Sequence, residues 1–166
     1  LQDWAPQLQR MIDLRNTLGL RSPIHSLARV LNPLAARCGL QSIFHPGYQA
    51  VHREASRLLG DHAVVIKGDG GEIEVNPDVI SHLYGTTAGE AWDEEWPALS
   101  ERRHVKPPSL QPEQLLAVWR GETEDSYGEM AVVATIALAL RGLGQDREQA
   151  FATARGYWGA RNQSNN

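Results

Sequence analysis

The stretch that decides the fold runs from residue 41 to residue 67 and reads QSIFHPGYQAVHREASRLLGDHAVVIK. Its first part, Gln41 to His45, is short and apolar and is closed by Pro46-Gly47, which predicts a strand. The next part, Tyr48 to Leu59, is predicted to be a helix. The last part, His62 to Lys67, contains a β-branched apolar run that is typical of a buried strand. Strand, helix and strand at this spacing form a βαβ unit, which predicts an α/β fold.

After this unit we expect a turn, a middle region with little regular structure, and three helices. Residues 68–71 form the turn, and Glu72 to Val75 alternates like a half-exposed strand. One more strand, His82 to Thr86, is predicted in the middle region, which also contains an acidic stretch at residues 89–95. The three helices are predicted at Gln111 to Trp119, Ser126 to Leu143 and Arg147 to Trp158. The second is apolar nearly all round and should be the central buried helix.

Two more helices are predicted before the βαβ unit. Leu8 to Leu18 has apolar residues at nearly helical spacing, and Gly19 ends it. Ser22-Pro23 begins the second helix, which Asn32-Pro33 should kink or divide because proline interrupts helical hydrogen bonding. At the other end of the chain, the polar tail at residues 162–166 is expected to be disordered.

Composition is that of an ordinary globular protein. Of the 166 residues, 42% are hydrophobic and 22% are charged, and no apolar run reaches the roughly 18 residues of a membrane helix. The single cysteine, Cys38, excludes an internal disulfide framework and a cysteine-rich zinc site. A reducing, cytoplasmic setting is therefore expected. The five tryptophans are not interleaved with basic residues, so core packing is favoured over base stacking.

The net charge of −4 is unevenly distributed along the chain. Residues 1–60 contain seven arginines and three acidic residues, a net +4, whereas residues 61–166 carry a net −8. Such an asymmetry can mark a surface for a polyanion, but arginines spread along helices more often only solvate them. The densest basic group, residues 102–106, follows several acidic residues that weaken its field.

Three segments occur in the same order as in one protein family. They are LRNTLGLRS at residues 14–22 with Ile24–Leu27 and Leu31–Pro33 after it, AVVIKGDGGE at residues 63–72, and the apolar helix around residues 132–140 with Gly144 after it. This set resembles the anthranilate phosphoribosyltransferase-like family (glycosyl transferase family 3). The spacing of Arg15, Arg21 and His25 within the first segment is more similar to the YbiB-type branch than to the tryptophan-pathway enzyme itself.

The resemblance implies a phosphoribosyltransferase-type α/β domain with a mixed sheet flanked by helices. Residues 1–161 would be its C-terminal part. It also implies an N-terminal helical domain that makes the homodimer contact, and a Gly-rich turn that holds phosphoribosyl pyrophosphate. Residues 1–31 contain no Gly-rich turn before a helix, so we expect both of these parts to be absent from this chain. The main grip on the cofactor would be missing with them, because a phosphate cradle needs backbone N–H groups at a helix start.

Four residues match family positions that could bind an acceptor or a polyanion. Arg15 matches an arginine that faces the acceptor's carboxylate, which a guanidinium binds bidentately. The alternative is a helix-surface arginine paired with Asp13 or a neighbour. Arg21 matches a second family arginine and could instead cap the preceding helix. His25 replaces the family's asparagine and could donate to a phosphate or a base, although a lone histidine on a helix is more often structural. Arg29 stands within a changed Gly-Pro-Leu motif and adds a positive charge.

The loop after the predicted strand at residues 62–67 matches the family's magnesium loop, in which adjacent Asp and Glu carboxylates hold the ion. Magnesium requires oxygen ligands and shares them with substrate phosphates. Here the aligned pair reads Glu72-Ile73, so one carboxylate is lost, and Asp69 could compensate from the turn. A polar hairpin that holds no metal is the favoured interpretation.

Two functions are consistent with the resemblance, and no catalytic residue can be named. The favoured function is a catalytically reduced protein that binds nucleic acid non-specifically, as the YbiB-type branch does. It predicts that Arg15, Arg21 and Arg29 lie along one positively charged groove. The alternative is an active transferase that uses phosphoribosyl pyrophosphate and Mg²⁺ to modify an aromatic or nitrogenous acceptor. Arg15 would then bind the acceptor, and Glu72 with Asp69 would bind the metal.

Overall fold

The computed structural model describes residues 2–20, 22–68, 72–105, 109 and 111–161. The chain divides into two units, a smaller one at residues 1–36 and a larger one at residues 37–166. In the part of the chain that is described, no helix has the length and apolar character needed to cross a membrane.

The smaller unit consists of α1 (Pro6–Leu18), α2 (Ile24–Leu27) and a short 3-10 helix (Ala28–Val30). Gly19 ends α1 in the left-handed conformation (φ 68°), as predicted, because glycine adopts positive φ without steric cost. The second predicted helix is not kinked or divided at Asn32-Pro33. It changes from α to 3-10 geometry at Ala28 and ends at Val30, before that pair. Beyond it, the Asn32 side chain closes a turn through two hydrogen bonds to the backbone of residue 36 (2.8 and 2.9 Å).

The larger unit is built on a four-stranded mixed sheet in the order β1-β2-β3-β4. Its strands are β1 (Gly39–Ile43), β2 (Ala63–Lys67), β3 (Ser81–Thr87) and β4 (Glu90–Trp96). β1 and β2 are parallel and are joined by α3 (Gln49–Leu59), whereas β3 and β4 extend the sheet as antiparallel strands. The predicted βαβ unit and mixed sheet are thus confirmed.

The prediction of irregular structure for the acidic stretch at residues 89–95 is wrong. This stretch forms most of β4, an edge strand that pairs with β3 through a tight turn at Ala88 and Gly89. Both turn residues have positive φ (52° and 82°), as in the hairpin turns that match the twist of the strands. The acidic side chains concealed a strand pattern. Trp92, Glu94 and Trp96 are partly or fully buried, whereas Ala91, Asp93 and Glu95 between them are exposed. Charges on an edge strand discourage pairing with other chains.

Three helices complete the larger unit: α4 (Pro112–Arg120), α5 (Ser126–Gly142) and α6 (Arg147–Ala160). As predicted, α5 is the central buried helix. Its small residues bring it close to β2, and a Cβ atom on Gly142 would lie only 2.7 Å from Cγ2 of Val64. The core contains apolar side chains from one face of the sheet and from α5 and α6, including Ile66, Leu83, Trp96, Ala134, Ala137, Leu138, Ala150 and Phe151.

The prediction of a strand at Glu72–Val75 is also wrong, because this segment pairs with none of the described strands. The backbone N–H of Val75 instead donates a hydrogen bond to the hydroxyl of Thr135 on α5 (3.0 Å). The alternating pattern arises because Ile73 and Val75 contact the core while Glu72 and Glu74 are exposed. A segment lying on a helix can thus show the same alternation as a strand.

Core packing of the tryptophans is confirmed for three of the five. Trp96 is buried, and Trp92 and Trp158 pack against the core from its margin. Trp4 and Trp119 are about half exposed, at 55% and 50%, so for these two residues the prediction of core packing is wrong.

Trp92 lies directly over Gly85 on the neighbouring strand. A Cβ atom on Gly85 would overlap with the indole ring, so only glycine leaves room for the tryptophan. The ring donates from Nε1 to the hydroxyl of Thr87 (3.0 Å), and the Arg141 guanidinium stacks on it, 4.1 Å from its centroid. Arg141 also pairs with Glu94 (2.9 Å), which ties α5 to the edge strand.

Gly85→Ala should therefore destabilise the protein, by about 1–3 kcal/mol, because the added methyl group displaces a packed ring. Gly156→Ala on α6 is the matched control, since a Cβ atom there meets nothing within 4 Å. It should stabilise the protein by about 0.5–1 kcal/mol, because alanine is favoured over glycine inside a helix. Urea unfolding of both variants measures these changes, and equal stability of the Gly85→Ala variant and the parent would contradict the packing described.

Candidate functional site

The carboxyl ends of the two parallel strands, β1 and β2, lie side by side where these strands end. Residues 44–48 follow β1 at this edge, and Gly68 follows β2. In α/β sheets, ligands bind beyond the carboxyl ends of parallel strands. We therefore call residues 42–48, 67, 68 and 72–74 the carboxyl-edge site.

A close contact between three backbone segments fixes this site. The Ser42 hydroxyl donates a hydrogen bond to the carbonyl oxygen of Glu72 (2.6 Å), and the backbone N–H of Gly68 donates to the carbonyl of Ile43 (3.4 Å). A Cβ atom on Gly68 would overlap with both Ser42 Oγ and the Glu72 carbonyl oxygen. Glycine is required here because Gly68 lies so close to Glu72 and to Ser42 of β1 that there is no room for a side chain.

The described part of this loop provides one carboxylate where the family has two. The Glu72 side chain is exposed, whereas Ile73, at the second position, packs against the core. Asp69 lies outside the described residues. Within the described ranges, no group of three or more His, Cys, Asp or Glu side chains could hold a metal ion. These residues do not form the adjacent carboxylate pair that a magnesium site of this type needs.

An exposed aromatic group projects from the segment after β1. Phe44 and Tyr48 are 55% and 59% exposed, and the His45 ring lies between them in edge-to-face contact, with centroids 5.0 and 6.4 Å away. Lys67 is exposed on the neighbouring strand, where it pairs in register with Ile43. Sequence reasoning missed this group because it considered only the tryptophans. The combination of a strand end and the run FHPGY was the signal that could have revealed it.

The face of α3 that packs on the sheet is polar. Its buried residues are Gln49, His52 and Ser56. On β1, the Gln41 side chain joins two of them: its Oε1 is 3.0 Å from His52 Nδ1, and its Nε2 donates to the hydroxyl of Ser56 (2.9 Å). The Gln49 amide extends the set to the backbone carbonyl of His82 (3.5 Å). Directional bonds rather than apolar packing therefore position α3 and the aromatic group before it.

Arg15 lies in the last turn of α1 with its side chain exposed. It forms no ion pair with any described residue, and the Asp13 carboxylate accepts instead from the Gln9 amide (2.8 Å). Arg15 is therefore an arginine on the surface of α1, as in the alternative interpretation, but it is not paired with Asp13. Arg29 is exposed in the 3-10 helix, and Arg21 lies outside the described residues. The groove containing these three arginines stays a prediction.

His25 has a structural role in its own turn. Its Nδ1 accepts a hydrogen bond from the backbone N–H of Ser22 (3.2 Å) at the start of α2. Its Nε2 is shielded from solvent and has no hydrogen-bond partner in the described part of the chain. His25 thus takes part in a local turn through one ring nitrogen, and a role in binding a phosphate or a base stays a prediction.

Two of the seven arginines that give residues 1–60 their positive charge are neutralised locally. Arg53 pairs with Asp93 of β4 and lies 5.7 Å from the centroid of the Tyr84 ring. Arg57 pairs with Glu54 one turn earlier on α3 (2.6 Å). These two charges serve the larger unit and contribute little to attraction of a polyanion.

Two further reactive side chains are held in structural contacts. Burial raises the pKa of the Cys38 thiol to about 11, so it stays protonated and unreactive at neutral pH. His104 stacks on Tyr127 (centroids 4.3 Å apart), and its backbone N–H donates to the Asp78 carboxylate (2.7 Å). Arg102 and Arg103, beside it, are exposed, and residue 106 of this basic loop lies outside the described ranges.

Known proteins resemble this chain in sequence, although no protein-family model matches it. An anthranilate phosphoribosyltransferase of Paracidovorax citrulli is 28% identical over 159 residues, which are 90% of this chain and 46% of that protein. Another, of Novosphingobium aromaticivorans, is 32% identical over 117 residues, which are 70% of this chain and 33% of that protein. The chain spans half or less of the length of these relatives.

The fold is shared with a solved structure. Anthranilate phosphoribosyltransferase from Saccharomyces cerevisiae, in complex with 4-fluoroanthranilate, matches 95% of this chain and 48% of its own chain with a TM-score of 0.66 and 15% identity. A similarity at this identity concerns the fold alone. The expected phosphoribosyltransferase-type α/β fold is thereby confirmed.

Gly68→Ala should disrupt the carboxyl-edge site, because its methyl group overlaps with backbone as well as side-chain atoms. We expect a loss of about 1–3 kcal/mol in unfolding free energy. Gly47→Ala, in the adjoining segment, is the control, since a Cβ atom there meets nothing within 4 Å and its stability should change by less than about 0.5 kcal/mol. Thermal unfolding of the two variants compares them, and equal melting temperatures would contradict the proposed close contact.

Proposed function

Because the chain belongs to the anthranilate phosphoribosyltransferase-like family, we propose that it is a catalytically reduced member that binds nucleic acid non-specifically. The exposed aromatic group at the carboxyl-edge site carries this proposal. It offers ring faces for bases beyond the carboxyl ends of the parallel strands, where α/β sheets commonly bind ligands. The resemblance to the YbiB-type branch gives the same expectation.

Reduced catalysis is supported by the loop after β2. The second carboxylate position of the family's metal loop is occupied by Ile73, which packs against the core. An acidic side chain there would place a charge in apolar surroundings, at a high cost in desolvation. The presence of Ile73 in place of a carboxylate therefore changes both the metal ligand and the packing of the segment. Restoring an acidic residue at position 73 alone would destabilise the segment.

Nucleic-acid binding is supported by aromatic rings and cations on the surface. Single strands are bound without sequence preference by stacking of bases on aromatic rings and by cations along the backbone. Phe44, His45 and Tyr48 provide the rings, and Lys67 provides a cation at the same edge of the sheet. On the smaller unit, Arg15 provides an exposed guanidinium that pairs with no described residue.

Tyr48→Ala should weaken binding of a fluorescent single-stranded oligonucleotide by roughly 5- to 150-fold, because one stacked base contributes about 1–3 kcal/mol. Tyr157→Ala is the matched control, since Tyr157 on α6 is equally exposed, at 59%. Fluorescence anisotropy measures both affinities. Equal weakening in the two variants would argue against stacking at the carboxyl edge, and no binding of the parent at low salt would end the proposal.

Arg15→Ala should lower affinity for all oligonucleotide sequences alike and reduce the slope of log affinity against log salt by about 1, because one phosphate contact is lost. Arg155→Ala on α6 is the control and should leave the slope unchanged. An unchanged slope in the Arg15→Ala variant would remove Arg15 from the binding surface.

The comparisons favour a second function, since both relatives named above are anthranilate phosphoribosyltransferases. In that case Arg15 binds the acceptor's carboxylate, and Glu72 is the described carboxylate at the metal loop. Glu72→Gln should then abolish turnover of phosphoribosyl pyrophosphate with an aromatic or nitrogenous acceptor in the presence of Mg²⁺. Glu74→Gln, two residues further and equally exposed, should not. Turnover that is the same in both variants would exclude Glu72 from catalysis.

A further inference from the structure

α4 is attached to the larger unit by little apolar burial. Val118 is its one buried residue, Ala117 is half-buried, and the remaining residues of the helix are exposed. Among the described residues, the core cluster includes side chains of the sheet, α5 and α6 but none of α4. Something other than burial in the core must therefore hold this helix in its place.

A single guanidinium joins α4 to the end of α6. Arg161, directly after α6, donates from Nε to the carbonyl oxygen of Trp119 (3.1 Å) and from Nη2 to that of Val118 (3.1 Å). From Nη1 it donates to the carbonyl oxygen of Trp158 in the last turn of α6 (2.7 Å). All three nitrogens of this group are thus directed at carbonyl oxygens near the ends of two helices.

The cation lies where these two helix ends converge. The last carbonyl groups of a helix have no intrahelical partner and give that end a partial negative charge. Without a cation between them, the ends of α4 and α6 would face each other with like partial charges. The guanidinium also stacks on the Trp158 ring, 3.8 Å from its centroid, and Trp119 meets the same ring edge to face (centroids 6.4 Å apart). Arg161 therefore acts as a clamp between the two helices.

We propose that α4 is a strap that detaches from the larger unit without unfolding of the core, and that Arg161 controls its detachment. Native proteins open locally where few apolar contacts are buried, because such opening requires less free energy than global unfolding. α4 meets this condition, whereas α5 and α6 contribute to the core directly. Detachment uncovers Val118 and the part of Trp158 that Trp119 contacts, and so creates an apolar surface that the closed strap shields.

The clamp depends on the shape of the guanidinium as well as on its charge. A guanidinium is a planar fork that reaches several acceptors from fixed positions, whereas the ammonium group of lysine is a compact point charge. Arg161→Lys therefore keeps the positive charge at the two helix ends and loses the three directed contacts. This variant separates the two contributions.

Hydrogen–deuterium exchange of the full chain, followed by mass spectrometry, tests the proposal. In the parent, amides of α4 should exchange faster than those of α5. Arg161→Ala should accelerate exchange in α4 at least about 20-fold, because hydrogen bonds from a charged donor are lost, and should leave exchange in α5 within about twofold of the parent. Arg161→Lys should lie closer to Arg161→Ala than to the parent. Protection of α5 in the same sample shows that each variant is folded.

Arg120→Ala is the matched control. Arg120 is the last residue of α4, and its exposed side chain is directed at Glu122 (4.0 Å) rather than at α6. The substitution removes a cation from the same helix end and leaves the clamp in place. Exchange in α4 should therefore rise by less than about fivefold, the effect of one charge on a helix end.

Four results would overturn the proposal. Unchanged exchange in α4 of Arg161→Ala would show that Arg161 does not hold the strap. Equal acceleration of α4 and α5 in this variant would make α4 part of the same cooperative unit as the core. Equal acceleration by Arg161→Ala and Arg120→Ala, or an Arg161→Lys variant that exchanges like the parent, would reduce the clamp to charge alone.

Discussion

The close packing of α5 on β2 is the contact on which the larger unit depends. Gly142 and the neighbouring small residues bring the helix so near the sheet that a single added methyl group would touch Val64 and the Cys38 sulfur. This proximity buries the centre of the sheet from one side and places Thr135 where it satisfies the backbone of Val75. It also sets the line along which the 72–75 segment runs, and so the position of Glu72 beside Ser42.

The opposite face of the sheet is organised by a different kind of interaction. Polar side chains of α3 bond to Gln41 of β1, and apolar side chains of the same helix are directed outward. Buried polar networks specify one arrangement strongly, because a shifted helix would leave several donors and acceptors without partners. Close packing of small residues therefore fixes α5 on one face of the sheet, and directional hydrogen bonds fix α3 on the other face. The carboxyl-edge site includes segments positioned by both kinds of contact.

The sequence was sufficient for the βαβ unit, the helix-ending role of Gly19 and the central position of α5, because each depends on local pattern. It was insufficient where tertiary contacts reverse a local signal. The acidic residues of β4 suggested a loop, yet pairing with β3 and the packing of Trp92 on Gly85 make that segment a strand. In the candidate site, the loss of one carboxylate at Ile73 was readable from the motif. The grouping of Phe44, His45 and Tyr48 was not, since it depends on how a turn orients three rings.

The two edge strands of the sheet, β1 and β4, differ in charge. β4 carries acidic side chains along its length, whereas β1 contains no charged residue. A newly arriving strand would meet electrostatic repulsion and competing hydration at β4, but no side-chain charge at β1. Protection by charge against pairing with another chain is therefore present at β4 and lacking at β1.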